Sequence, residues 1–142
     1  MFKIKEMEQA MCDWVLEEIT KHSGTPERFI SKYRFFPEWL ANLRRGKMCT
    51  MRTFFRLIRI LGYKLRLNDY EVYSTSDMAL TIRDIRKDMG LSRPVFQQKY
   101  TAMSGDKTHW AIEKSRRTLN FKQWASVVII LRINYRILKF KG

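Results

Sequence analysis

Apolar residues recur at helical spacing along most of the chain, and short polar stretches separate the segments that show this spacing. Residues 50–61 are the clearest case, because Met51, Phe54 and Ile58 fall on one face of a helix. The pattern predicts helices at residues 8–21, 26–32, 37–45, 50–61, 78–89, 93–100, 106–116 and 120–131. We therefore predict a mainly α fold, in which each half of the chain contributes four or five helices.

The boundaries of these helices carry residues that favour helix starts and stops. Thr25 can cap the second helix through its hydroxyl, and Pro26 suits the first helical position. Ser92 and Pro94 play the same part in the second half of the chain. Glycines can then end helices in both halves, at Gly24, Gly46, Gly62 and Gly90.

Two short segments alternate apolar and polar residues and are predicted to be strands. Residues 63–67 follow the fourth predicted helix and residues 135–140 follow the last, so the two segments occupy equivalent places. Residues 63–67 have the pattern of an edge strand. The sequence is compatible with pairing of the two strands inside the chain, and equally with pairing to a second copy or to a protein partner.

The order of helix starts, helix stops and terminal strand occurs twice, which indicates an internal repeat. We place the first repeat at residues 1–67, the second at residues 77–142 and a linker at residues 68–76. An ordinary helical bundle also repeats its apolar faces, but it has no reason to repeat its caps and terminal strands. The repeat is therefore the favoured interpretation.

The chain has 142 residues and a formal net charge of +14, and the charge alternates along it. Residues 1–27 carry a net −3, residues 28–67 a net +10, residues 68–91 a net −2 and residues 92–142 a net +9. A compact protein with so much like charge repels itself, and a polyanionic partner relieves the repulsion. The basic stretches therefore point to nucleic acid as the partner. A charged face that only keeps the protein in solution is the simpler alternative.

Several classes of function find little support in the sequence. The longest uninterrupted apolar run, residues 127–131, is far shorter than the roughly 18 residues that span a bilayer, so we expect no membrane partner. Cys12 and Cys49 are isolated from each other, and so are His22 and His109, which argues against a metal site. No glycine-rich phosphate loop is present. We therefore expect a cytoplasmic protein that is not an enzyme and has no catalytic residue, metal or cofactor.

The stretch from residue 24 to residue 62 carries the clearest resemblance to a known family. Residues 24–30 are similar to the start of a second helix, residues 40–47 to the end of a recognition helix, and residues 51–63 to a penultimate helix with its stop. This order resembles the lambda-repressor/Cro-like (XRE-type) helix-turn-helix superfamily. Residues 82–92 resemble the same family. The resemblance implies two tandem helix-turn-helix units with short terminal strands.

A few positions depart from the pattern of that family. Phe36 stands where the family usually has a Ser or Thr N-cap, and Pro37 occupies the first position of the recognition helix. The second repeat has two extra residues in its turn, and it has Arg132 where the first repeat has Gly62. Its recognition helix is therefore expected to be reoriented, or to bind only the nucleic-acid backbone.

The resemblance implies that the third helix of each unit enters the major groove of DNA. The residues that this assigns to base reading are Glu38, Asn42, Arg45, Lys107 and Ala111. The residues that it assigns to phosphate binding are Arg28, Lys32, Arg44, Lys47, Arg93, Lys99, Lys114, Arg116 and Arg117. Glu38 is equally suited to stabilise the helix dipole, and the cations are also suited to a solvated face. Trp39 is expected to pack against the turn.

Two functions fit these expectations. The first is sequence-specific binding of double-stranded DNA by a transcriptional regulator, which the family resemblance favours. The second is an architectural, RNA-binding or single-strand-binding role within a larger nucleoprotein assembly, which the excess of Lys and Arg leaves open. A discrete protected site on DNA distinguishes the first function from the uniform coating expected of the second.

Overall fold

The computed structural model describes residues 2–107 and 118–140, and about two thirds of these residues are helical. The helices are α1 (Phe2–Ser23), α2 (Pro26–Tyr33), α3 (Pro37–Arg44), α4 (Met51–Leu61), α5 (Thr75–Asp88), α6 (Arg93–Ser104) and α7 (Phe121–Ile130). The strands are β1 (Tyr63–Leu67), β2 (Tyr70–Val72) and β3 (Tyr135–Lys139), and they form one antiparallel sheet. The prediction of a mainly α fold with short strands is confirmed.

Thr25 and Ser92 act as helix caps in the structure, as the sequence predicted, and Thr50 and Asn120 cap two further helices. The hydroxyls of Thr25, Thr50 and Ser92 each accept a hydrogen bond from a backbone N–H in the first turn of the helix that follows. Asn120 forms a complete capping box with Gln123 at the start of α7. Each of these bonds satisfies a donor that the helix itself leaves open, which is why the predicted starts of α2, α4, α6 and α7 are accurate.

Helices α1 and α6 extend by four or more residues beyond the ends that their sequence patterns predicted. Helix α1 begins at Phe2 rather than at residue 8, because Ile4 extends its buried face by a turn. Helix α6 continues to Ser104, four residues beyond its predicted end at residue 100, and Gly105 ends it in the left-handed conformation. Only the first two residues of the predicted helix 106–116 are described, and neither is helical. The rest of that helix lies outside the described residues.

Helices α1, α2 and α3 form a compact N-terminal unit, residues 1–49. Helix α1 packs against both α2 and α3. Phe29, Phe35 and Trp39 form a stacked aromatic series in its core, with ring centroids 5.7 Å and 4.6 Å apart. Since Phe35 belongs to the turn between α2 and α3, this series fixes the turn, and the expectation that Trp39 packs there is confirmed.

The C-terminal unit, residues 50–142, is organised around the sheet, whose strand order is β2-β1-β3. Strand β1 pairs with β3 in a register that places Leu65 opposite Ile137. The two terminal strands predicted from the sequence therefore pair inside the chain. Strand β1 is the central strand, so its assignment as an edge strand was wrong. Its Leu65 and Leu67 are fully buried, and α4 packs against it.

The boundary between the compact units differs from the predicted repeats at residues 1–67 and 77–142. It lies between Cys49 and Thr50, because β1 pairs on both sides with strands that follow it in the chain. The predicted linker, residues 68–76, contains β2 and the start of α5. Long-range strand pairing, which the local sequence pattern does not reveal, thus assigns α4 and β1 to the C-terminal unit.

Helices α4 and α7 nevertheless show a repeat within the C-terminal unit. The buried positions of α4 are Met51, Phe54, Phe55, Leu57 and Ile58, and those 70 residues later in α7 are Phe121, Trp124, Ala125, Val127 and Val128. Gly62 follows α4 with φ 82°, and Arg132 follows α7 with φ 51°. The two residues that the sequence placed at equivalent positions therefore share the left-handed conformation, although only one is glycine.

Candidate nucleic-acid interface

Two eight-residue helices, α2 and α3, are joined by a three-residue turn in the N-terminal unit. Arg34 opens the turn in the left-handed conformation (φ 59°), and Phe35 is buried beneath it. Phe36 ends the turn as the N-cap of α3, with extended backbone that leads into Pro37. This connection has the length and the order of a helix-turn-helix.

The three residues proposed as base readers in the first repeat share one exposed face of α3 and its C-cap. Glu38, Asn42 and Arg45 are spaced four and three residues apart, which brings them to one side of a helix, and all three are exposed. The opposite side carries Leu40 and Leu43, which are buried in the N-terminal unit. The fold of α3 therefore holds the exposed face at a fixed orientation to the core.

Arg44, proposed as a phosphate contact, is engaged in an ion pair across α2 and α3. Its Nη2 atom lies 2.5 Å from Oε2 of Glu27, in the first turn of α2, and both side chains are largely exposed. The hydrogen bond from Arg44 holds the pKa of Glu27 below its ordinary value. Glu27 is therefore ionised at neutral pH, and a phosphate that binds Arg44 must compete with this carboxylate or share the guanidinium with it.

The other residues proposed to bind phosphate in the first repeat are also exposed, two of them on α2 and one just beyond the end of α3. Arg28 and Lys32 lie one turn apart on α2, where they line a shallow depression with His22. Lys47 follows Gly46 just beyond α3, and its backbone N–H is bound to the carbonyl oxygen of Asn42 at 2.8 Å. The backbone that carries Lys47 is thus attached to the helix that carries Asn42.

Two residues of this region were not included among the sequence-predicted contacts. Phe36, treated only as a missing N-cap, is 78% exposed and makes no side-chain cap hydrogen bond. Arg34 lines a groove of about 630 Å³ between α2 and α3, together with Glu27 and Arg44. A signal for Phe36 was present in the sequence, because an aromatic residue at an N-cap position neither caps the helix nor joins the apolar periodicity.

In the second repeat, the structure describes only some of the proposed contacts. Arg93 and Lys99 are exposed on α6, and Lys107 is exposed in the bend that follows Gly105. The carboxylate of Asp106 accepts a hydrogen bond of 2.6 Å from the hydroxyl of Tyr100, which ties the bend to α6. The other proposed contacts lie outside the described residues, and they are Ala111, Lys114, Arg116 and Arg117.

The boundary between the compact units changes the distribution of charge. Residues 1–49 contain nine basic and seven acidic side chains, a net charge of +2, and α1 carries five of these acids. Residues 50–142 contain nineteen basic and seven acidic side chains, a net charge of +12. Most of the positive potential therefore belongs to the C-terminal unit, whereas the exposed α3 face belongs to the nearly neutral one.

The two cysteines are shielded from solvent to different degrees. Cys12 is fully buried in the N-terminal unit, and burial raises the pKa of its thiol to about 12. Cys49 is partly exposed, and burial of its sulfur raises the pKa of its thiol to about 11. Since only the thiolate reacts readily with electrophiles, neither residue has the environment of a catalytic cysteine.

Cys12 provides a probe for the integrity of the N-terminal unit. In a Cys49→Ser background, we expect Cys12 to react with an aromatic disulfide reagent at pH 8 at least about 100-fold more slowly than in concentrated urea. Burial favours the neutral thiol, so its contribution to stability is present below pH 9.0 and is lost as the pH rises from there towards about 12. Equal reaction rates with and without urea would contradict the burial of Cys12.

No group of three or more His, Cys, Asp or Glu side chains in residues 2–107 and 118–140 is arranged to hold a metal ion. No helix within these residues is long and apolar enough to cross a bilayer.

Comparison with known proteins adds no family to this description. No protein-family model matches the chain, and no similar curated protein or solved structure was found. The functional interpretation therefore depends on the geometry and charge of the chain itself.

Proposed function

We propose that this protein binds double-stranded DNA in a sequence-specific manner and acts as a transcriptional regulator. The observation that carries the proposal is the α2–turn–α3 arrangement, whose exposed face combines Glu38, Asn42 and Arg45. A short helix that presents polar side chains beside exposed cations has the dimensions and the chemistry to enter the major groove. Association with the nucleoid follows from the same proposal.

The three residues of the exposed α3 face differ in the base edges that they recognise. The Asn42 amide can donate to and accept from the N6 and N7 positions of adenine, whereas the Glu38 carboxylate accepts from the amino group of cytosine. Arg45 can bind O6 and N7 of guanine with two parallel hydrogen bonds. Together these residues offer a contact of each type along one face, which supports sequence discrimination rather than uniform binding.

Cations on both sides of this face would hold the helix in register on the phosphates. Arg28 and Lys32 on α2 and Lys47 beyond α3 are placed to bind the backbone that flanks the groove. Arg44 can bind a phosphate as well, if its guanidinium either leaves Glu27 or contacts Glu27 and the phosphate at the same time. Such contacts carry no sequence information of their own, but they determine which bases the exposed α3 face meets.

Phe36 presents an exposed apolar side chain at the N-terminal end of α3. At 78% exposure, Phe36 is the most accessible of the exposed large apolar side chains that the structure describes, and it gives α3 no cap. The C5-methyl group of thymine in the major groove is an apolar partner of suitable size. We therefore assign Phe36 to a thymine contact next to the bases read by Glu38 and Asn42.

Phe36→Ser is expected to change stability and affinity in opposite directions. Serine at this position can accept a hydrogen bond from the first turn of α3 and should raise the free energy of unfolding by about 0.5–1 kcal/mol. Loss of the apolar contact should weaken binding to the cognate DNA about tenfold. Urea unfolding and a fluorescence binding assay measure the two effects, and Phe36→Ala is the control that removes the ring without adding a cap. Unchanged affinity in both variants would remove Phe36 from the interface.

We propose that the C-terminal unit contributes mainly non-specific binding to the DNA backbone. Its net charge of +12 favours phosphate binding, and its exposed Arg93, Lys99 and Lys107 belong to the second predicted contact region. Once the exposed α3 face has bound DNA, the second unit on the same chain is held at a high local concentration. A single chain is therefore proposed to bind a bipartite site.

Footprinting on duplex DNA distinguishes this proposal from an architectural role. A sequence-specific regulator protects a discrete stretch at protein concentrations that leave the flanking DNA open to cleavage. The architectural alternative, to which the concentration of charge in the C-terminal unit gives some weight, predicts gradual and uniform protection that disappears as salt is added. Uniform protection by the native protein would overturn the proposal.

A further inference from the structure

Two arginines lie directly opposite each other on the outer face of the sheet. The register of β1 and β3 pairs Arg66 with Arg136, while the flanking Leu65 and Leu67 point into the core. Like charges at facing positions of an antiparallel pair destabilise the sheet. A Thr or a Glu at either position would remove this repulsion.

Arg66 also has a buried donor without a partner. Among the residues that the structure describes, nothing accepts a hydrogen bond from its Nε, which is shielded from solvent. The nearest carboxylate oxygen belongs to Asp69, which lies 3.8 Å from Nη2 on a side chain that is 99% exposed. The guanidinium of Arg66 therefore has no closely bound carboxylate among the described residues.

Polar groups around the two arginines form a small and well-fixed groove. Its volume is about 300 Å³, and its lining residues are Arg66, Asn68, Asp69, Asn134 and Arg136. Asn68 and Asn134 are held by two hydrogen bonds of 2.9 Å, one from each backbone N–H to an oxygen of the other residue. These bonds connect the two segments that form the rim, and the groove has the size of a small anion with its hydration shell.

The two carboxylates next to the groove, those of Glu71 and Asp69, do not prevent an anion from binding to the arginines. Glu71, which faces Arg66 from β2, has its carboxylate occupied by Lys64 at 2.7 Å and by the hydroxyl of Tyr73. The Asp69 carboxylate reaches Arg66 only at the outer limit of an ion pair, and its side chain is free to rotate into solvent. Neither carboxylate neutralises both arginines at once.

We propose that the Arg66–Arg136 groove is a binding site for a phosphate group. A phosphate placed between the two guanidinium groups would accept a pair of hydrogen bonds from each and relieve the repulsion across the strands. The site belongs to the sheet of the C-terminal unit and not to a helix assigned to DNA reading, and it does not depend on the proposed regulatory function. A phosphodiester of nucleic acid and a free phosphate offer the same chemistry.

Thermal unfolding of the full chain tests the site. Inorganic phosphate should raise the unfolding midpoint above that in chloride of equal ionic strength. Arg136→Thr should weaken phosphate binding at least about tenfold, and it should raise the midpoint in phosphate-free buffer because the repulsion across the strands is gone. Lys139→Thr, which removes one charge from the other face of the same strand, is the matched control and should keep the phosphate effect.

If Arg136→Thr does not fold, the more conservative variant Arg136→Lys tests the site. Arg136→Lys retains the charge but loses the planar two-pronged donor, so it should bind phosphate more weakly than the native protein. An equal phosphate effect in the native protein, Arg136→Lys and Lys139→Thr would overturn the site. So would the absence of any phosphate effect beyond that of chloride.

Binding to a short DNA duplex identifies the source of the phosphate. If the groove binds a phosphodiester, Arg136→Thr should weaken duplex binding by the same factor on every sequence, and inorganic phosphate should compete with the duplex. If it binds a free phosphate, duplex affinity should be unchanged by the substitution, and phosphate should still bind the DNA complex. Both results support the site, and neither depends on Asn42 or on sequence preference.

Discussion

Raising the salt concentration from 50 to 200 mM should weaken the binding of this protein to duplex DNA by about 10³–10⁵-fold. Each lysine or arginine that neutralises a phosphate releases a counterion, and the logarithm of the binding constant falls by about 0.9 for each contact and each decade of salt. The range corresponds to six to ten phosphate contacts, which the exposed cations of the two units can supply. Fluorescence anisotropy of a labelled duplex across a salt series measures the slope.

Single substitutions show which residues contribute to the salt dependence of DNA binding. Lys47→Ala should reduce the magnitude of the slope by about one, because the side chain is exposed just beyond α3 and is proposed to bind one phosphate. Lys21→Ala is the matched control, since Lys21 pairs with Glu17 at 2.9 Å on the acidic helix α1 and should leave the slope unchanged. A slope close to zero for the native protein would contradict binding through phosphate contacts.

Asn42→Ala should reduce the preference for the cognate site over other sequences by about 10–100-fold, which corresponds to the loss of one bidentate base contact. The substitution should not unfold the protein, because Asn42 is exposed on α3 and alanine is the better helix former. Affinity for unrelated DNA should therefore change little while affinity for the cognate site falls. Competition between labelled cognate and unlabelled random duplexes measures the ratio.

The double variant Arg44→Ala, Lys47→Ala is the control for this prediction. Both residues are proposed to bind phosphates, so their loss should weaken binding to cognate and random DNA by similar factors. Urea unfolding of each variant verifies that the helices remain intact. If Asn42→Ala lowered affinity equally for all sequences, Asn42 would belong with the phosphate contacts and not with the base readers.

The α2–turn–α3 region was largely predictable because local chemistry determines it. The Thr25 hydroxyl and the Pro26 ring define where α2 starts, and the predicted boundaries of both helices are accurate to one residue. The separation of buried Leu40 and Leu43 from exposed Asn42 also follows from helical spacing alone. A residue whose environment is set within one or two turns of its own helix can be assigned from the sequence.

The arrangement of the C-terminal unit could not be predicted in the same way, because it depends on strand pairing across long stretches of chain. Strand β2 has only three residues, too few to show alternation, and it becomes a strand by pairing with β1. The charged residues of β1 and β3 look solvated in the sequence. Only the register of the two strands reveals that Arg66 faces Arg136.

The functional proposal depends most on the exposed face of α3, and selection from random DNA tests it most directly. The native protein and Asn42→Ala should be incubated separately with duplexes that carry a random central stretch, and the bound molecules sequenced over successive rounds. We expect the native protein to enrich one discrete site, and Asn42→Ala to lose the preference for an adenine at one position of it. Recovery of unrelated sequences by the native protein would contradict sequence-specific binding through α3.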